Sequence, residues 1–275
     1  MKSKSVKSRD KLTGKLAVIT GADSGIGLEF TRCLAGMGAT PLMISNRPEP
    51  LLEAAAAIAS SYGCQPVTLC LDLTEADAPR RLFAFMLEHE LEPYIVINNA
   101  GIFSFDTIER TSERRISAFI DLHIRALTEI SRRAAILMGE LGRGYILNMS
   151  SMSCWMPMPG LAMYSATKAY IRVFSRSLAY EMSDKGVHVM VACPGGIATS
   201  LFGLGEKLKK FAVSIGVLQT PQTFARKAVR QMLRGRSQYI NGMLNRISIL
   251  AVGCTPRAVR MMVKHRMLDR NIRRP

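Results

Sequence analysis

Tyr164 and Lys168 lie four residues apart in Tyr164-Ser165-Ala166-Thr167-Lys168. The surrounding stretch Ala162 to Ala179 contains no Gly or Pro and reads as a helix, so the phenol and the ammonium share one face. A phenol titrates near pH ~10 and is a poor acid or base at neutrality, unless a neighbouring cation stabilises the phenolate. Lys168, one turn on, is such a cation. Ser151 precedes Tyr164 by thirteen residues and follows the strand pattern Gly144 to Met149. A hydroxyl at the carboxyl end of a strand opens into the crevice where open α/β sheets bind ligands. Each feature has an ordinary alternative: a Tyr/Lys pair on a solvated helix, and a serine that merely closes a turn.

Other short segments supply the elements that would position this chemistry. Thr20-Gly21-Ala22-Asp23-Ser24-Gly25-Ile26-Gly27 follows the apolar run Leu16 to Ile19 and leads into a helical pattern from Leu28 to Leu34. A strand entering a glycine-rich turn and then a helix is how a dinucleotide site begins. Gly21 permits a sharp turn, Gly25 a close approach of backbone to pyrophosphate, and Gly27 close packing of helix on strand. The helix N-terminus adds free N–H groups and a positive dipole end. Asn98-Asn99-Ala100-Gly101 ends a strand from Tyr94 to Ile97, and Pro194-Gly195-Gly196-Ile197-Ala198-Thr199 follows a strand from Val187 to Cys193.

Taken in order, these motifs resemble the short-chain dehydrogenase/reductase family over about residues 12 to 242. The resemblance implies an α/β fold: one Rossmann-like domain with a doubly wound, parallel, seven-stranded sheet, which the strand–helix alternation fits. It implies that Tyr164 protonates a carbonyl oxygen as hydride arrives from a nicotinamide. Lys168 would lower the Tyr164 pKa and hold the nicotinamide ribose, and Ser151 would steady the developing alkoxide. Gly21, Asp23, Ser24, Gly25, Ile26 and Gly27 would cradle the dinucleotide. Asn99 would lie near the adenine ribose, Asp72 and Leu73 against adenine, and Ile197 and Thr199 at the nicotinamide amide. One position departs from the family, which usually carries asparagine 41 residues before the tyrosine, where a backbone carbonyl holds a water linked to the lysine. Here that residue is His123. Its carbonyl can keep the relay, and an imidazole titrates near neutrality.

Cofactor choice is legible after the second strand, Pro41 to Ser45. An acidic residue there would bind a ribose 2′-hydroxyl and repel a 2′-phosphate. The sequence instead has Asn46 followed by Arg47, and guanidinium matches phosphate geometry, so NADP(H) is expected over NAD(H).

The 275 residues fit one such domain with short ends. The net charge of +16 is uneven: residues 1–15 hold six basic side chains and one acid, residues 226–275 thirteen and one. The rest is nearly neutral, which argues against a continuous nucleic-acid-binding face. Residues 1–11 are expected to form a disordered basic tail, and 243–275 a basic amphipathic extension. After Pro256 a helix is expected with Val259, Met262, Val263 and Met267 on one face and Arg257, Arg260 and Lys264 on another. Such a helix suits an anionic bilayer surface, or alternatively packs its apolar face on protein. Six cysteines without Cys-x-x-Cys spacing, and four histidines, predict reduced buried thiols, no metal site and a cytoplasmic protein, either free or membrane-peripheral. The family's substrate lid falls at about 199–219, and here it and the stretch between Ser151 and Tyr164 are largely apolar. A bulky lipophilic ketone is therefore expected, as in the hydroxysteroid dehydrogenase and long-chain 3-oxoacyl or 3-ketosphinganine reductase branch. The alternatives are a soluble 3-oxoacyl-carrier-protein reductase and a non-catalytic dinucleotide-binding protein. A homodimer is expected through two long helices, about 112–141 and 162–184.

Overall fold

The computed structural model describes residues 12–197, 219–242, 245–246, 249 and 255–268. Seven parallel strands form one sheet: β1 (Leu16–Thr20), β2 (Thr40–Ser45), β3 (Val67–Cys70), β4 (Pro93–Asn98), β5 (Gly144–Met149), β6 (Val187–Ala192) and β7 (Gln238–Tyr239). Their spatial order is β3-β2-β1-β4-β5-β6-β7. The chain winds outward one way through β2 and β3, then returns to place β4 on the other side of β1. That reversal leaves a crevice above the carboxyl ends of β1 and β4.

The strands are largely apolar on both sides because helices cover both faces of the sheet. In β1, Ala17 and Ile19 pack into a core with Phe30 and Leu34 of α1 (Gly25–Ala35), Leu51 and Ile58 of α2 (Pro48–Tyr62), and Phe224 and Val229 of the later helix Pro221–Met232. Leu16 and Val18 point the other way. They meet Leu82 and Met86 of α3 (Ala78–Glu88), with Ile130, Met138 and Leu178 from the long helices described next. Period-two alternation thus serves two hydrophobic layers rather than one layer and solvent.

The first long helix is not continuous. α4 (Glu113–Ile120) passes into a wide π-helical turn over Asp121–Ala126 before α5 (Leu127–Glu140). Such turns re-aim side chains, and this one carries His123. The second, α6 (Ala162–Glu181), is regular. Exposed apolar side chains stand along both, among them Ile136, Leu137, Val173 and Tyr180. A buried amide cluster joins the layers: Asn98 Nδ2 donates to Asn148 Oδ1 (2.8 Å) and Ser131 Oγ (3.0 Å), and Asn148 Nδ2 donates to Ser175 Oγ (2.9 Å).

α7 is Pro221–Met232, and α8 (Arg257–Val263) continues into a wide turn, Lys264–Leu268. Leu268 is buried beside Gly160 and Phe105: a Cβ on Gly160 would meet Phe105 at 3.0 Å and Leu268 at 3.1 Å. Val259 and Met262 are exposed, whereas Val263 is half-buried, so only part of the expected apolar face is open. No helix among the described residues is long and apolar enough to cross a membrane. The thiols correct one expectation. Cys193 is buried, Cys33, Cys64 and Cys154 are half-buried, and Cys70 is exposed at the end of an outer strand; all five are free. The N-terminal tail, Cys254 and nearly all of the expected lid lie outside the described residues.

Candidate active site

The sheet's crevice opens into a cleft of about 430 Å³. It is lined by Gly21, Asp23, Ser24, Gly25, Ile26, Arg47, Asp72, Leu73, Asn99, Ser151, Tyr164, Lys168 and Ile197. The expected site residues that do not line it are Gly27, which packs beneath, and His123, which lies behind. Thr199 lies outside the described residues.

At the glycine-rich turn, Gly21 has φ +63°, which favours glycine, and a Cβ on Gly27 would stand 1.9 Å from the Gly21 carbonyl oxygen. Helix α1 therefore starts hard against β1. Ser24 sits at its N-cap with no side-chain cap, and a Cβ on Gly25 would meet nothing within 4 Å. Backbone N–H groups thus face open space, as an anion requires. Asn99 Nδ2 donates to the carbonyls of Thr20 (3.0 Å) and Gly21 (3.2 Å), so its amide braces this turn. Asp72 holds Thr74 through its backbone N–H (2.9 Å) and hydroxyl (2.8 Å). Burial raises the Asp72 pKa, but hydrogen bonds from Thr74 and Asn46 outweigh it and keep the carboxyl below its usual value.

At the other end, Tyr164 and Ser151 both line the cleft, the serine at the end of β5 and the phenol on the first turn of α6. Ser151 Oγ also accepts from Ser153 N at 3.1 Å, so it closes a turn as well as facing the phenol. Burial raises the Tyr164 pKa more than the nearby Ser151 hydroxyl lowers it. This differs from the expected lowering by Lys168. The ammonium is spent elsewhere: Lys168 Nζ donates to the Met149 carbonyl at 3.0 Å and lies 5.7 Å from the Tyr164 ring centre. Burial brings the Lys168 pKa down to about 8.

Residues 15–207 match the short chain dehydrogenase family. This chain belongs to that family. The very-long-chain 3-oxoacyl-CoA reductase-A of Danio rerio is 33% identical over 193 residues, covering 68% of this chain and 60% of that one. The human protein named inactive hydroxysteroid dehydrogenase-like protein 1 is 30% identical over 223 residues, covering 80% and 66%. This chain thus spans about two thirds or less of the length of these relatives. Among solved structures, a 7beta-hydroxysteroid dehydrogenase superposes with a TM-score of 0.80 at 24% identity, over 90% of this chain and 95% of its own.

In this member of the short-chain dehydrogenase family, the residue at the unusual position is tightly bound. The His123 ring is buried. Nε2 accepts from the Ile102 N–H at 3.1 Å, which leaves the proton on Nδ1 to face Thr167 Oγ1 at 3.0 Å. Thr167 Oγ1 in turn donates to the Tyr164 carbonyl at 3.0 Å. Burial, with the nearby charges of Lys168 and Arg115, holds the His123 pKa well below 6.5. The ring is therefore neutral, with both nitrogens committed, and does not meet the requirement for a proton carrier near neutrality. It instead ties the π-helical turn to the Ile102 loop and to α6. Gly101 makes room for it, since a Cβ there would lie 3.0 Å from Nε2.

Three partners escaped the sequence reading: Thr167, Ser150 and the Met149 carbonyl. Ser150 Oγ donates to the Lys168 carbonyl at 2.7 Å, anchoring the first turns of α6 to the end of β5. Only the spacing to Lys168 hinted at these, because each acts through backbone atoms brought close by folding.

A group whose folded pKa lies below 6.5 binds protons more readily in the unfolded chain. Its contribution is full above about pH 6.5 and lost as pH falls, by up to ~1.4 kcal/mol per unit. Urea unfolding between about pH 5 and about pH 7 should therefore show a shallower pH slope for His123→Asn than for the native chain. Equal slopes would refute the buried neutral imidazole.

Proposed function

We propose that this protein is an NADP(H)-dependent oxidoreductase that reduces the ketone of a bulky lipophilic substrate. The observation that carries this is the convergence of Ser151, Tyr164 and buried Lys168 on the cleft that the glycine-rich turn also lines. When bound, the nicotinamide supplies the hydride. Ser151 and Tyr164 present two hydroxyls to one carbonyl oxygen. Tyr164, with a pKa raised above 10, keeps its proton at neutral pH, the form needed to donate to a developing alkoxide. Lys168 holds a positive charge beneath that point, which favours negative charge on the oxygen. Its protonation fades above pH ~8, so the rate of reduction falls there.

Support for NADP(H) lies at the end of β2. Asn46 offers no carboxylate, and Arg47 borders the cleft with Nη2 2.9 Å from Ser24 Oγ. Arg47 is also paired with Asp23, whose side chain is buried. A 2′-phosphate would compete with Asp23 for the guanidinium, and a bidentate charge-assisted contact favours the phosphate. Arg47→Ala should raise the KM for NADPH about tenfold or more while changing that for NADH little. Parallel rises for both cofactors would remove Arg47 from the selectivity argument.

The lipophilic assignment rests on the wall around Tyr164. Phe103 packs edge-on against the phenol ring at 5.0 Å, and Phe119 and Met163 stand beside it in a small side cavity that also holds Ser104, Asp106 and Thr111. Leu268 closes the far side of Gly160, bringing the C-terminal helix next to this wall. The activity named for the Danio rerio relative, reduction of very-long-chain 3-oxoacyl-CoA, is of this class. The basic side of α8 then suits an anionic bilayer from which such substrates come, with exposed Val259 and Met262 entering the headgroups. Arg257→Glu combined with Lys264→Glu, both at exposed positions, should abolish flotation with phosphatidylserine vesicles. Undiminished flotation would exclude α8 as the contact. Exposed side chains on α5 and α6 fit a homodimer through those helices, which light scattering reads directly.

A second reading has one observation in its favour: the human relative is named inactive. In it, the cleft binds dinucleotide without turnover. Tyr164→Phe separates the two. With NADPH and a panel of long-chain 3-oxoacyl thioesters, 3-ketosphinganine, ketosteroids and small polar ketones, the native chain should turn over a lipophilic member. The variant should lose about a hundredfold to ten-thousandfold in rate and retain NADPH binding. Silence of the native chain across the panel, with NADPH bound, would support the non-catalytic reading.

A further inference from the structure

Two of the five described cysteines meet directly behind the catalytic hydroxyls. After β5 and β6 end, their chains continue side by side: Ser150 N donates to the Ala192 carbonyl and Met152 N to the Pro194 carbonyl, each at 2.8 Å. Cys193 lies in the middle of this pairing, and its own N–H is held by the Tyr239 carbonyl at 2.8 Å. Cys154 sits on the short helical turn Met152–Trp155 that starts at Ser151, and it packs against the cluster formed by Cys193, Val191, Ile171 and Leu127. Both sulfurs therefore belong to one small cluster, beside the point where the two chains pair through Ser150 and Met152. Next to Cys154, the Trp155 ring carries the Arg172 guanidinium 4.5 Å above its centre.

We propose that Cys154 and Cys193 form a reversible disulfide that switches off the active site when the protein meets a hydroperoxide. The roles of the sulfurs follow from their surroundings. The neighbouring Cys193 lowers the Cys154 pKa, with Ser150 and the Arg172 charge acting in the same sense, whereas the neighbouring Cys154 and burial raise that of Cys193. Half-buried Cys154 is the nucleophile, and buried Cys193 is the resolving thiol. The Cys154 thiolate attacks the outer peroxide oxygen, breaking the O–O bond; Cys154 becomes a sulfenic acid and the peroxide leaves as water or an alcohol. Cys193 sulfur then attacks the Cys154 sulfur, forming the S–S bond. Hydroxide leaves and takes the Cys193 proton as water. Two electrons pass from the sulfurs to the peroxide, and a dithiol returns them.

The consequence for the site is mechanical. Cys193 is pinned to β7, so the bond draws the Met152–Trp155 turn inward. Ser151 is the N-cap of that turn and its Oγ accepts from Ser153 N, so the serine moves with it and loses its alignment with Tyr164. Lys168 is tied to the same strand end through the Met149 carbonyl and the Ser150 hydroxyl. Glycine-loop contacts lie at the opposite end of the cleft, so dinucleotide binding changes far less than turnover.

The test is titration of the reduced full-length chain with hydrogen peroxide, followed by thiol blocking and peptide mapping. The expected product is a Cys154–Cys193 linked peptide, restored to free thiols by dithiothreitol. Cys193→Ser and Cys193→Ala should each abolish the linked peptide and leave Cys154 as a sulfenic acid, trapped by dimedone. Cys154→Ser should leave both positions unreacted. Linkage should lower the rate of ketone reduction about tenfold or more, with NADPH affinity changed less than about threefold. The effect on rate rests on the catalytic roles proposed above; the linked peptide does not, so a chain inactive on every ketone still tests the bond. Oxidation confined to exposed Cys70, with no linked peptide, would overturn the proposal. So would a linked enzyme that turns over at the native rate.

Discussion

The position of the Lys168 ammonium governs the arrangement around it. An amine charge is removed from water at the junction of β5 and α6, and its strongest direct partner is one main-chain carbonyl, that of Met149 at 3.0 Å. Burying such a charge is costly unless its surroundings are fixed. Here they are. Ser150 clamps the carbonyl of Lys168 itself, and Met149 belongs to a strand paired on both sides. The lowered lysine pKa, about 8, is the visible part of the cost. What it provides is a buried positive charge beside the Tyr164 ring, in a place water does not screen.

His123 belongs to the same support. A helix that continued regularly from α4 to α5 would aim this residue differently; the wide turn over Asp121–Ala126 brings the ring against Thr167 and Ile102. One side chain thereby links three segments that each touch the cleft. Asparagine in this position is associated with a backbone carbonyl, and histidine retains that carbonyl while adding two hydrogen bonds from its ring. The price is a pH-sensitive core position, since a protonated ring has no acceptor nitrogen for the Ile102 amide.

The fold was highly legible in the sequence because parallel strands under two helical layers must be continuously apolar and must be separated by helices. The strand Gly144–Met149 appears with the boundaries its pattern suggests, and those expected at 16–19, 41–45, 94–97 and 187–193 differ by one residue at one or both ends; β3 was not located from its pattern. The three glycines of the first turn were legible too, because steric exclusion acts locally: no other side chain fits 1.9 Å from a carbonyl oxygen. Less legible was anything depending on where one strand end lies beside another. Cys154 and Cys193 are distant in sequence, and the pattern suggested only inert thiols; their contact follows from the register of β5 against β6. Cys70, taken as buried, is exposed because β3 is an outer strand.

The sequence by itself determined the family, the order of the sheet-forming segments and the identity of the hydroxyl, phenol and amine gathered at the cleft, since these follow from residue type and short-range spacing. The tertiary structure decided how those groups are charged and held. Tyr164 carries a raised rather than a lowered pKa, His123 is a neutral brace, and Arg47 is shared with Asp23. The physical reason is that protonation and hydrogen bonding depend on solvent exclusion and on main-chain carbonyls from remote segments, and neither quantity is written in a local run of residues.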